Sequence, residues 1–199
     1  MGRTVTKLDR TGLDREAVVA VALDLVVSEG AAALTMRRLA TELDVGTPTI
    51  YWHVGSRDEL VAAIVQLQSE RLADRPIVGR DARARVLSAA RNMYAGALEQ
   101  RAITSLAHQT GTSALLLHDL QAALVGELEA SGLEGDAVDD ALHSILLVVT
   151  GALVVTLSDT ARLPGDRGVR VRSRAELEAL ATATLRVVVD HHVPSEEPR

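Results

Sequence analysis

The seven residues Thr47, Pro48, Thr49, Ile50, Tyr51, Trp52 and His53 concentrate side chains that can do chemistry. Three hydroxyls, an indole N–H and two imidazole nitrogens form a set of hydrogen-bond donors and acceptors, not a nucleophile held by a base. Groups of this kind reach phosphates and the edges of bases. The chain has one Trp, two Tyr and no Phe in 199 residues, so this segment takes two of its three aromatic side chains. A buried core has no use for so many polar handles. Ile50 and Val54, four apart, can face inward from a helix whose other residues face out. Arg37, Arg38 and Arg57 flank the segment, and an Arg can reach a guanine or a phosphate. The competing reading is a surface aromatic cluster packed between helices.

Other chemistries find less support. Ser113, His118 and Asp119 lie close in sequence, but neither a strand-turn-helix nucleophile elbow nor a phosphate loop accompanies them, so no catalytic residues and no enzyme activity are expected. Neither His191-His192 nor His108 has partners at metal-ligand spacing, and the absence of Cys removes thiolate sites and disulfides. No metal and no cofactor are expected.

The elements that must position the segment are helices. The apolar residues are Leu, Val, Ile and Ala, recurring at three- and four-residue spacing, which predicts an all-α fold. Asp14 is placed to cap a first helix ending at Gly30, and Thr35 a short second helix through Leu43. A turn through Asp44-Val45-Gly46 leads to a third helix, Thr47 to His53, with Pro48 in its first turn. Ser56 and Glu59 have capping-box spacing and open a fourth helix. Gly79 and Asp81 introduce another, carrying Val86, Leu87, Ala90, Met93, Tyr94 and Leu98. Further helices are expected from Thr112 to Ser131 and from Glu134 to about Asp159. Ala161 to Val171 reads as a loop. Ser173, with Glu176, opens a last helix, carrying Leu177, Leu180, Ala181, Thr184, Leu185 and Val188 on one face. Helices two and three, joined by a tight turn and braced by the first, have the lengths of a helix-turn-helix unit, whose second helix lies in the DNA major groove.

Charge and hydropathy qualify this reading. Residues 1–60 contain seven Lys or Arg against nine Asp or Glu, so sequence-independent attraction to DNA is modest. Val45 to Arg57 nevertheless contains no acid, and the N-terminal arm offers Arg3, Lys7 and Arg10 for backbone contacts. Ala141 to Ser158 carries no acid, Lys or Arg, at the short edge of a membrane-spanning length. Its His, Ser, Thr and Gly residues and its acidic flanks favour a buried helix over a span, and no membrane association is expected. The N-terminus lacks the apolar core of a signal peptide, which predicts a cytoplasmic protein.

The run "LTMRRLATELDVGTPTIYWHVGSRDEL" resembles the DNA-binding domain of the tetracycline repressor (TetR) family of transcriptional regulators. The match runs from about Leu13 to Ile64 and is specific in combination: "AVALDLVVSEG", then "LTMRRLA", then "TPTIYWHV". It implies that Arg37, Thr47, Pro48, Thr49, Tyr51, Trp52, His53 and Arg57 contact DNA. Two positions depart from the family pattern. Asp44 replaces the usual turn Gly, and Met36 stands where a small polar residue is common.

The resemblance further implies a helix-turn-helix domain over 1–60 and a helical effector-binding and dimerisation domain over 61–199. The implied function is a repressor that binds a near-palindromic operator as a homodimer and is released by a small molecule. A ligand-independent architectural DNA-binding protein is the alternative. For the dimer, the uncharged helix and the last helix of each subunit would form a four-helix bundle through Leu146, Val149, Leu153, Leu177, Leu180, Leu185 and Val188, with Gly151 and Ala152 permitting close approach. Polar residues on otherwise apolar helices, Asn92, Tyr94, His108, Gln109, Thr110, His118, Gln121 and His143, are the candidates for orienting an effector. The contact set that holds tetracycline and magnesium is not recognisable.

Overall fold

A computed structural model describes residues 13–157 and 172–195. These residues form α1 (Arg15–Glu29), α2 (Met36–Glu42), α3 (Thr47–Val54), α4 (Arg57–Ala73), α5 (Ala82–Glu99), α6 (Arg101–Gln109), α7 (Ser113–Ala130), α8 (Asp136–Leu157) and α9 (Arg174–His192), with a short 3-10 turn at Ala31–Ala33 and no strand among them. The arm residues Arg3, Lys7 and Arg10 and the loop expected over Ala161–Val171 lie outside the described residues.

The helix starts follow the local chemistry. Asp14 accepts the Ala17 N–H at 2.8 Å, Thr35 accepts the Arg38 N–H at 3.1 Å and Asp81 accepts the Ala84 N–H at 2.8 Å. Ser56 and Glu59 exchange two bonds, Glu59 N–H to Ser56 Oγ at 3.2 Å and Ser56 N–H to Glu59 Oε2 at 2.6 Å. Ser173 and Glu176 repeat that reciprocal pair. Each cap satisfies a backbone donor that the first helical turn leaves free. At the end of α1 the chain turns through Gly30, whose φ of 90° a side chain rarely tolerates.

The chain divides into two compact units, residues 1–69 with 102–116, and residues 70–101 with 117–199. In the first, α1, α2 and α3 pack on one another around Val18, Leu23, Leu34, Leu39 and Ile50, all essentially inaccessible to solvent. Leu60 and Ile64 of α4 and Ile103 of α6 are equally buried. In the second, α5, α8 and α9 pack mutually, burying Val86, Ala90, Ile145, Leu185 and Val189. Arg85 of α5 ties α7 to this unit through two parallel bonds to Glu127, at 2.8 and 2.5 Å. The reading of the sequence placed no helix at α6, and Ile103, Leu106 and Ala107 are the short apolar stripe that marks it.

Helix α8 is the one helix among the described residues long and apolar enough to cross a membrane by length and composition. In the single chain it is buried along one stripe only. Val138, Ala141, Ile145 and Val149 form its buried stripe, while Leu147, Val154 and Val155 are exposed.

Candidate nucleic-acid interface

Helix α3 is fixed from one side. Ile50 and Val54, 0% and 3% exposed, plug it into the first unit one turn apart. The tight turn before it depends on Asp44, the one described non-glycine residue with positive φ, at 53°. An Asp tolerates that left-handed conformation better than most residues, so the usual Gly is dispensable here. Val45 then donates to Ala40 O at 3.0 Å, which closes α2, and Thr49 donates to Gly46 O at 2.9 Å, which opens α3.

With its inner side anchored, α3 presents Trp52, 82% exposed, and Tyr51, 49% exposed, to solvent. Pro48 is also exposed, and Thr47, Thr49 and His53 are half-buried. The Trp52 and His53 rings meet edge to face with centroids 4.7 Å apart, so the indole is braced by its neighbour and not by the core. A large aromatic side chain left this open, beside polar groups and on a helix free of acids, is a surface made to be covered.

Arg37 and Arg38, adjacent in sequence, have different surroundings. Arg38 bridges α1 and α2, bonding Glu29 at 2.9 Å and Glu42 at 2.5 Å. Its bond to Glu29, followed by that to Glu42, raises the guanidinium pKa and keeps the charge in place. Arg37 is exposed and enters no ion pair among the described residues. Arg57 is exposed in the first turn of α4. The eight residues expected to meet DNA are therefore all at least partly accessible, while the second Arg of the pair is a structural clamp.

The eight candidate effector residues are distributed over both units. Asn92 and Tyr94 line one groove of the second unit. Tyr94 is 5% exposed, and its OH shares a 2.9 Å bond with Thr156 Oγ1. His108, Gln109 and Thr110 sit exposed at the end of α6 in the first unit. Their polar groups serve local ends: Gln109 bonds Ser105 at 3.0 Å and Thr110 donates to Leu106 O at 2.8 Å. His118 is exposed beside Asp119 at 3.0 Å, Gln121 is half-buried on the same helix, and exposed His143 shares a 2.7 Å bond with Asp139 O.

The expected interface residues differ in their exposure within the single chain. Val149 and Leu185, 2% and 1% exposed, are covered within the chain. Leu146, Leu153, Leu177 and Val188 are half-buried, and Leu180 is exposed. The open apolar side chains that the sequence reading missed are Leu147, Val154 and Val155 on α8 and Val187 on α9.

Residues 18–64 match the model of a family described as bacterial regulatory proteins, tetR family. The chain is 42% identical over 52 residues to the class D tetracycline repressor protein of Escherichia coli, covering 26% of this chain and 24% of that protein. Over the first curated relatives it thus matches about a quarter of their length. A longer match, 29% identical over 177 residues, covers 88% of this chain and 81% of the class A tetracycline repressor protein from transposon 1721 of Escherichia coli. Among solved structures, BioQ with its double-stranded DNA operator is similar in fold, with a TM-score of 0.60, 24% identity, and coverage of 87% of this chain and 99% of that one.

Proposed function

We propose that this chain, whose residues 18–64 match the tetR family model, is a cytoplasmic transcriptional repressor of that family that binds a near-palindromic operator as a homodimer and is released by a small molecule. Residues 1–60 read the DNA and residues 61–199 dimerise and receive the effector. The observation that carries this reading is α3: anchored by Ile50 and Val54, it leaves Trp52 and Tyr51 uncovered on an acid-free segment. Arg37, Thr47, Pro48, Thr49, Tyr51, Trp52, His53 and Arg57 make the contacts, the hydroxyls and Arg side chains to phosphates and base edges.

A second copy covers the open side of α8 and α9. Leu147, Val154, Val155, Leu180 and Val187 are exposed apolar side chains on these two helices. A Cβ placed on Gly151 would meet nothing within 4 Å in the single chain, which leaves room for a partner helix to approach. Twofold symmetry then sets the two recognition helices about 34–36 Å apart, or a multiple of that, on successive major grooves. Release requires an effector that favours one arrangement of the dimer, since equal affinity for both shifts nothing.

Selection of bound sequences from a random duplex library tests the proposal. The expected result is an inverted repeat whose half-site centres lie about one or two helical turns apart. Recovery of no enriched motif, or of a single unsymmetric site, would contradict it.

A further inference from the structure

Helices α5 and α9 leave a trough between them in the second unit. One part, about 560 Å³, is lined among others by Val78, Leu87, Arg91, Ala95 and Arg174. The other, about 590 Å³, is lined among others by Arg83, Arg186, Val189 and Asp190, and the two share Ala84 and Leu87. Each volume lies in the range that holds a small organic ligand. The floor is apolar and half-open at Ala84, Leu87 and Ala95, and Val78 at the rim is 66% exposed.

The charges lining this trough are not equivalent. Arg83 donates to Val193 O at 2.8 Å and Asp190 O at 3.1 Å, closing the end of α9, and lies 3.7 Å from the Asp190 carboxylate. Arg174 is paired with Glu178 at 2.7 Å. Glu99 is paired with Arg75 at 2.5 Å, and that guanidinium holds its carboxyl below the usual range. Asp81 caps α5. Every acid is engaged. The side chains of Arg91 and Arg186 are exposed and enter no ion pair or hydrogen bond among the described residues. Among nearby neutral groups, Asn92 donates to Pro76 O at 3.2 Å and Ser88 Oγ accepts the Val78 N–H at 3.0 Å. What remains for a ligand is two uncommitted guanidiniums, the hydroxyls of Thr182 and Ser195, and a strip of aliphatic surface.

We infer that this trough binds a small amphipathic carboxylate, its anionic head on Arg91 and its apolar body along Leu87, Ala95 and Val78, and that such a molecule is the effector. Arg91 can grip a carboxylate with two parallel N–H bonds, and Arg186 adds to the positive field at the other end. The effector role rests on the regulator reading above, whereas the binding site does not.

Calorimetric titration of the full chain with octanoate, acetate and octyltrimethylammonium tests the inference. Octanoate binding that weakens about tenfold or more in Arg91→Gln, is unchanged in Arg101→Gln, and exceeds that of both other probes supports it. Absence of octanoate binding, equal binding by Arg91→Gln, or equal binding of the cationic probe overturns it. So does octanoate binding that disappears as protein concentration rises, because a second copy then covers the trough. With a duplex selected as above, octanoate should change DNA affinity. Intact octanoate binding without that change overturns the effector role and leaves the regulator standing. Failure to bind any selected duplex sinks the regulator reading instead, with the carboxylate site judged by calorimetry alone.

Discussion

Trp52 is the sole Trp and stands 82% exposed on α3, so its emission reports on whatever covers that helix. Saturating operator should change it strongly, and effector alone only weakly; an emission unaffected by operator in a fluorescence titration would remove Trp52 from the interface. The neighbours Arg37 and Arg38 make opposite predictions. Arg37→Ala should weaken DNA binding and leave the melting temperature unchanged. Arg38→Ala should lower the melting temperature only slightly, because its pairs with Glu29 and Glu42 are partly exposed and screened. Residue type and spacing alone could not tell these two apart, since adjacent identical residues differ only in what folding brings to them. One of the discriminating partners, Glu29, lies in another helix. Tyr51, Trp52 and His53 were legible because aromatic scarcity made their clustering visible without any knowledge of packing.

Among the elements, α3 depends on two anchors. Ile50→Ala should cost about 2–5 kcal/mol, by analogy with other large-to-small core changes, and a denaturant titration will show it. Ser56→Ala should cost about 0.5–2 kcal/mol by removing the cap of α4. The second half of that box is pH-dependent. Its backbone bond from Ser56, followed by the Ser56 side-chain bond, lowers the Glu59 pKa. The stabilisation is therefore present above the ordinary carboxylate range and is lost as pH falls through the depressed value. Wild type should lose stability relative to Glu59→Gln over that acid window in urea melts. Cap positions were readable because Asp14, Thr35, Ser56, Asp81 and Ser173 act over three residues. The inner face of α8 was not readable, because a helix apolar nearly all round gives hydropathy no stripe to detect. The choice of Val149 over Leu147 as the buried residue is made by tertiary packing. The short α6 escaped for a related reason, having only Ile103, Leu106 and Ala107 to mark it.

For the molecule as a whole, the proposed function requires two copies. Leu147→Asp and Val187→Asp place charges where the single chain is already exposed, so each should fold with normal circular dichroism yet sediment as a monomer, with DNA affinity falling accordingly. Wild-type protein sedimenting as a stable monomer at micromolar concentration would contradict the dimer. The all-helical architecture and the order of its first four helices were legible in caps and spacing; the groove between α5 and α9 was not, because which Arg residues remain unpaired is settled only by tertiary contacts. The central claim, that α3 reads DNA, is tested most directly by titrating one selected operator at fixed salt with wild type, Tyr51→Ala, His53→Ala and Arg37→Ala. Each variant should fold normally and lose roughly 1–3 kcal/mol of specific binding. Binding by all three with wild-type affinity would contradict the account.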